Sequence, residues 1–378
     1  MIRPSLFYTL LSDRGIRFYT GVPDSLLKNL CAYITDHSDR RDHIIAANEG
    51  GAIGLAAGYH LATGGIPVVY MQNSGLGNTV NPLLSLMDED VYRIPVLLIV
   101  GWRGEPGVHD EPQHVKQGKV TLSLLDAMDI RHDILTNDEQ TLEAQLATAI
   151  DYMSATGKPY ALVVRKGTFD SYKLLHAPAD VCTMEREEAV RMVAASMDDK
   201  AVVVSTTGKI SRELFEYRES ADGAHCRDFL TVGSMGHASQ IALGIALSKP
   251  DRNVYCFDGD GATIMHMGAL AITADMAPAN YYHVVFNNGA HDSVGGQPTV
   301  GLHIDIPEIA SACGYKTVIS VDNADDLRLT LDSLTDNDAP LLLEVKVKKG
   351  AREDLGRPTT TPQENKAALM DFLNRDDR

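Results

Sequence analysis

Two glycine-flanked polar loops hold the residue types with the clearest chemical use in this sequence. Asp258-Gly259-Asp260-Gly261-Ala262 follows the apolar run Val254–Phe257, and Asn287-Asn288 follows the run Tyr281–Phe286, 25 residues after Ala262. Gly259 and Gly261 keep side chains clear, so that backbone N–H groups can approach a diphosphate. Asp260 offers an anionic oxygen and an asparagine amide a neutral one, hard donors that suit magnesium alongside phosphate oxygens and water. The spacing leaves room for one helix between adjacent parallel strands, which brings both loops to one sheet edge. These residues alone point to a magnesium–diphosphate site, against the plainer alternative of two ordinary strand-to-helix turns. A further acid, Glu49 in Ala47-Asn48-Glu49-Gly50-Gly51-Ala52, ends an apolar segment and opens a small-residue helix. On its own it reads as a helix-start glutamate favoured by the dipole.

Positioning such loops requires parallel strands joined by helices. Apolar runs alternate with helical patterns along the chain, which predicts an α/β fold of parallel sheets flanked by helices. Strands are expected at Ile44–Ala46, Val68–Met71, Val96–Val100 and Ala161–Val164. In the second half they are expected at Ala201–Ser205, Asn253–Phe257, His283–Asn287, Thr317–Ser320 and Leu341–Val347. Thr168–Thr183, with no clear period, reads as a linker, giving domains 1–167 and 185–378 joined by 168–184. A gapless internal similarity supports two related halves. At an offset of 186 residues, GLAAGYHLATGGIPVVYMQNSG from Gly54 lies against QIALGIALSKPDRNVYCFDGDG from Gln240, pairing Gly58 with Gly244, Val68 with Val254 and Gly75 with Gly261. Each copy reads as helix, turn, strand and glycine-rich loop, although two generic helix–strand units could resemble one another by chance.

At 378 residues with 44% apolar and 22% charged content, the chain has an ordinary globular composition and length for two domains. No window approaches the ~18 uninterrupted apolar residues of a membrane span, and the first residues show no signal-peptide pattern. Cys31, Cys182, Cys226, Cys256 and Cys313 form no CxxC pair, which suits thiols in a reducing cytoplasm. A net charge of −17 argues against nucleic acid. It also means that an anionic substrate needs local cations or backbone amides to outweigh the global field.

The spacing of the two loops resembles the signature of the thiamine-diphosphate (ThDP) decarboxylase and acetolactate-synthase superfamily. By that resemblance Asp260 and Asn288 are magnesium ligands with the Ala290 carbonyl as a third, the family commonly using the second asparagine in preference to Asn287, and Gly259, Gly261 and Ala262 line the diphosphate. The Asn48–Ala52 segment resembles the one carrying the glutamate that hydrogen-bonds the cofactor's pyrimidine, where it relays the proton that activates the thiazolium C2; this implies Glu49. Gly233-Ser234-Met235-Gly236 is similar to the segment that bends the cofactor, with Met235 between its rings and the Gly233 carbonyl accepting from the 4′-amino group. Thr206-Thr207-Gly208 fits a diphosphate-side loop. The resemblance implies two related ThDP-binding-fold domains, pyrimidine-binding (1–167) and diphosphate-binding (185–378). It also implies a homodimer or homotetramer whose sites draw on two subunits.

Larger relatives carry a middle domain that this chain replaces with a short linker. The short architecture, Gly21–Ser25, Asp110–His114, His291–Thr299 and Lys348–Thr359 resemble the phosphonopyruvate decarboxylases. The implied reaction is loss of carbon dioxide from a small anionic 2-oxo acid through a ThDP ylid and enamine. Sulfopyruvate decarboxylation is the near alternative; acetolactate-synthase-type ligation and a non-catalytic subunit are more distant ones. Proton transfers then fall to His109, His114 and His291. Asp24 and Ser25 are expected near the substrate carboxylate, or else as an ordinary N-cap. Gly295, Gly296, Gln297, Arg352 and Arg357 are candidates for the phosphonate.

Overall fold

The computed structural model describes residues 1–176, 181–221, 223 and 225–375; residues 177–180 of the expected linker lie outside them. Two compact units are present, Met1–Ala177 with Ser293–Pro298, and Pro178–Asp292 with Thr299–Arg378. In the first, β1 (Tyr19–Gly21), β2 (His43–Ile45), β3 (Val68–Gln72), β4 (Leu97–Gly101), β5 (Arg131–Ile134) and β6 (Tyr160–Val164) form a sheet in the order β2-β1-β3-β4-β6-β5. Neighbouring strands run parallel throughout. In the second, β7 (Val202–Ser205), β8 (Asp228–Leu230), β9 (Val254–Gly259) and β10 (Tyr281–Asn287) are followed by two-residue strands β11 (Ala290–His291) and β12 (Gln297–Pro298). With β13 (Thr317–Val321) and β14 (Leu341–Lys346), β7 to β10 give the parallel order β13-β14-β10-β9-β7-β8.

Helices cover both faces of each sheet, which is why the strands read as continuous apolar runs rather than alternating ones. In β4, Leu97 and Ile99 pack with Phe7, Leu30 and Leu146, while Leu98 and Val100 pack with Ala52, Ile53 and Leu125 on the other face. In β10, Val284 and Phe286 join Val190 and Leu214, whereas Val285 joins Ala242 and Leu270.

The repeat is realised as topology. A shift of 186 residues carries Tyr19 into β7, His43 into β8, Val68 into β9, Leu97 into β10, Arg131 into β13 and Tyr160 into β14. The first strand order then becomes β8-β7-β9-β10-β14-β13, which is the second order read from its other end.

Expected strands appear within one or two residues of their predicted ends, but β1, β5, β8 and the two-residue β11 and β12 were not anticipated. β1 is only Tyr19-Thr20-Gly21, and Gly21 sits so close to Tyr70 that a Cβ would overlap its carbonyl. β5 is a partly exposed edge strand with polar Arg131, His132 and Asp133. β8 buries Asp228 against the Arg218 guanidinium at 2.9 Å, so charge replaces the apolar signal. The start of the expected linker is tied to the first unit: Ile2 N–H donates to the Thr168 carbonyl, and Asp36 accepts from the Leu175 and His176 N–H groups.

Candidate active site

In the first unit the predicted residues gather where strands end at their carboxyl edge, the side on which open α/β sheets bind ligands. Asn48 caps the helix Glu49–Thr63, its side chain accepting from the Gly51 N–H at 2.8 Å. Glu49 is 6% exposed, and its Oε2 accepts from Asn78 Nδ2 at 2.8 Å. Just beyond β3, a Cβ on Gly75 would lie 2.6 Å from both Cγ and Cδ of Glu49, so only glycine leaves the carboxyl its place. Asn73, in the same turn, donates to the Arg103 carbonyl at 2.8 Å and accepts from the Arg103 N–H at 3.2 Å. It thereby couples the β3 loop to the β4 loop.

The β4 loop is organised by Asp110. Arg103 donates to it from Nε at 2.8 Å and Nη2 at 2.5 Å, and the Gly104 and Glu111 N–H groups each donate at 2.8 Å. His114 Nδ1 lies 2.9 Å from Asp110 Oδ1, and Arg103 Nη1 donates to Ser25 Oγ at 2.7 Å. Gly104 adopts φ +69°, and Gly118 in the helix Pro112–Ala127 approaches its carbonyl so closely that a Cβ would overlap it. Burial would raise the Asp110 carboxyl, but hydrogen bonds from Arg103, His114 and Gly104 outweigh it and hold the group well below the usual carboxylate range. Burial lowers His114 despite Asp110. A neutral His114 donating from Nδ1 to this carboxylate keeps Nε2 as a proton acceptor. Asp24, 1% exposed, is pushed up to about 6 by burial, and its Oδ2 accepts from the Leu26 N–H at 2.9 Å. Asp24, Ser25 and His114 thus share one neighbourhood, whereas His109 is exposed on its loop.

The second unit carries the paired loops. Asp260 opens the helix Asp260–Met265 after β9, is 2% exposed and accepts from the Thr299 hydroxyl. Burial raises it to about 6, against hydrogen bonds from Thr299 and the Asn288 backbone. Asn287 is committed within the fold: Nδ2 donates to the Gly301 carbonyl at 2.8 Å and Glu344 at 2.7 Å, and Oδ1 accepts from the Gly289 N–H at 3.1 Å. The Asn288 oxygen accepts only the Ala290 N–H, at 3.1 Å, among the described residues. Gly301 leaves room for the Asp260 carboxylate.

A Cβ on Gly261 would sit 3.3 Å from Met235 Cε and 3.3 Å from His291 Cε1, so these residues converge on the loop. Ser234 at φ 53° and Gly236 at φ 81° shape the Gly233–Gly236 turn. Burial pushes His291 down to about 4. The Thr206 hydroxyl is buried with no partner among the described residues, and Thr207 and Gly208 continue the turn after β7. The oxygens of Asp260, Asn288 and the Ala290 carbonyl, with this orphaned hydroxyl, fit a magnesium–diphosphate group in chemistry.

Two further sets of predicted residues were candidates for the second anionic group. Gly295, Gly296 and Gln297 group with the first unit, where Gln297 Nε2 reaches the Lys28 carbonyl at 3.5 Å. Arg352 is bound by Glu187, Glu216 and Asp354, which answers its charge without a substrate, and Arg357 lies exposed in the same tail. Sequence reasoning missed Arg103, Asn73, Asn78, Thr299 and Gly301. Arg103 follows the predicted strand Val96–Val100 in Gly101-Trp102-Arg103-Gly104, and that position was its one available signal.

Two known families match the chain. Residues 5–130 match the thiamine pyrophosphate enzyme N-terminal TPP binding domain, and residues 206–345 the C-terminal TPP binding domain. The α/β architecture of two ThDP-binding-fold domains is thus borne out. A phosphonopyruvate decarboxylase of Streptomyces hygroscopicus is 35% identical over 98% of this chain and 94% of its own length. One of Streptomyces viridochromogenes is 36% identical over 94% of this chain and 90% of its own. A sulfopyruvate decarboxylase of Methanosarcina acetivorans is 28% identical over 83% of each. The chain belongs to the thiamine pyrophosphate enzyme family, in the group of the phosphonopyruvate decarboxylases.

Proposed function

We propose that this protein is a ThDP- and magnesium-dependent carboxy-lyase that converts 3-phosphonopyruvate to phosphonoacetaldehyde and carbon dioxide, a step in phosphonate biosynthesis. The supporting observation is full-length similarity to two proteins of that name, in a chain that keeps Glu49 in a glycine-walled pocket and Asp260 buried among oxygen donors. Bound ThDP supplies a thiazolium carbon that takes up the electron pair left when the 2-oxo acid loses carbon dioxide.

In this reading residues 1–167 hold the pyrimidine half and 185–378 the diphosphate half. Asp260, Asn288 and the Ala290 carbonyl hold magnesium, while Gly259, Gly261, Ala262 and the Thr206–Gly208 turn receive the diphosphate. Glu49 holds a proton against the pyrimidine nitrogen, and Met235 with the Gly233 carbonyl supports the cofactor's bend. The reaction replaces the carboxylate by one proton, and a second proton must leave the product hydroxyl. His114 Nε2 and His291, both neutral near pH 7, are acceptors for that transfer, and Asp24 and Ser25 face the substrate. The active assembly is a homodimer or homotetramer in the cytoplasm. Among the described residues no helix is long and apolar enough to cross a membrane.

Carbon dioxide release from phosphonopyruvate, sulfopyruvate and pyruvate, with and without ThDP and magnesium, tests the reading. Cofactor-dependent release fastest from phosphonopyruvate is expected. Faster release from sulfopyruvate would transfer the protein to the second reading, which the Methanosarcina relative supports; a carbon–carbon coupled product from pyruvate would overturn both.

A further inference from the structure

A substrate with two anionic groups must find cations in a chain of net charge −17. Among the basic residues first considered, Arg352 is occupied by three carboxylates. Arg103 differs in both place and geometry. It follows β4 at the carboxyl edge, and Asn73 fastens its backbone to the turn whose Gly75 abuts Glu49. Its side chain is 19% exposed. Asp110 takes the Nε and Nη2 donors and Ser25 one Nη1 donor, which fixes the guanidinium plane. A guanidinium has five N–H groups, so two remain without a partner among the described residues. Burying such donors unpaired is unfavourable, and a planar fork suits a tetrahedral or planar oxyanion.

Resting on the decarboxylase reading, we infer that Arg103 binds the second anionic group of the substrate, a phosphonate or sulfonate, and that Asp110 is its positioning residue. Ser25 then acts beside Arg103 as a hydroxyl donor to the same group. Asp110 offsets one unit of the arginine's charge, so recognition depends on directed N–H bonds more than on bulk attraction.

The test uses full-length Arg103→Met and Arg103→Lys with ThDP and magnesium. Carbon dioxide release from phosphonopyruvate gives kcat and KM, and inhibition by methylphosphonate probes the phosphonate alone. For Arg103→Met, KM and the methylphosphonate inhibition constant should rise together by about 10- to 100-fold, with a smaller fall in kcat and an unchanged ThDP half-saturation. Arg103→Lys, which keeps the charge but loses the fork, should raise both constants by more than threefold but less than Met, and decides the matter if the Met variant does not fold. A KM within threefold of wild type in either soluble variant, or a fall in kcat with both constants unmoved, overturns the inference. Wild type that releases no carbon dioxide from any of the three oxo acids overturns the decarboxylase reading instead.

Discussion

Gly75→Ala offers a test of Glu49 that leaves Glu49 itself in place. The new methyl would stand 2.6 Å from Cγ and Cδ of that residue, about 0.9 Å inside ordinary carbon–carbon contact. Because the obstructed atoms belong to a side chain, the carboxyl can shift by roughly that distance, and the fold should survive with a loss of about 1–3 kcal/mol. A misplacement of ~1 Å at a reacting group costs on the order of 100-fold in rate, equivalent to about 2.7 kcal/mol of barrier. We expect kcat for phosphonopyruvate to fall by about that factor, while the magnesium and ThDP half-saturation values, which the proposed diphosphate loops of the second unit would set, change little. Glu49→Gln should nearly abolish turnover, and adding Gly75→Ala to it should cost little more, since coupled sites are non-additive. Full activity in Gly75→Ala, or losses that multiply in the double variant, would refute the assignment of Glu49.

Asp260→Asn should raise the magnesium concentration for half-maximal activity at least 10- to 100-fold; an unaltered magnesium titration removes Asp260 from the metal. Asp110→Asn withdraws the group that raises His114 against burial, so the acid limb of kcat/KM should move to lower pH and kcat fall on the order of 100-fold. A limb displaced to higher pH contradicts the His114 role. Burial lifts Asp24 from 3.8 to about 6, so the folded chain keeps this proton to higher pH than the unfolded chain, and stability is lost as pH rises through that window. Asp24→Asn should gain up to about 3 kcal/mol over wild type between pH 4 and pH 8; denaturant titrations with the same pH dependence for both proteins would disprove it.

Legibility followed how locally each feature is determined. Strands such as β4 and β10 are buried on both faces and announce themselves as apolar runs. β8, held by a buried Asp228–Arg218 pair, has no such run, because its stability comes from a partner ten residues away. The Asp260 and Asn288 loops are legible because glycines, an acid and amides must occupy fixed strand ends. The Arg103 group was not, since Ser25, Asn73, Arg103 and Asp110 come from three loops and meet only after folding. Asp110 and His114 stand four apart in the sequence, yet nothing local says that the acid would hold the histidine and the arginine together.

The weak repeat acquires a physical meaning from the same comparison. The 186-residue shift that relates the two strand orders also carries Glu49 onto Met235 and Gly75 onto Gly261. In the first unit the bare α-carbon of Gly75 accommodates a carboxyl, and in the second a Cβ on Gly261 would lie 3.3 Å from the Met235 methyl. One backbone relation, a glycine after the strand opposite a side chain near a helix start, therefore serves two chemistries. A carboxyl in a close-walled pocket can hold a proton at a fixed atom, whereas a thioether gives an adaptable apolar surface for a bent ligand to rest on. In the proposed reading a cofactor with one ring to be protonated and a bend to be supported uses both, and the repeated frame would meet the two needs by exchanging a single side chain at equivalent positions.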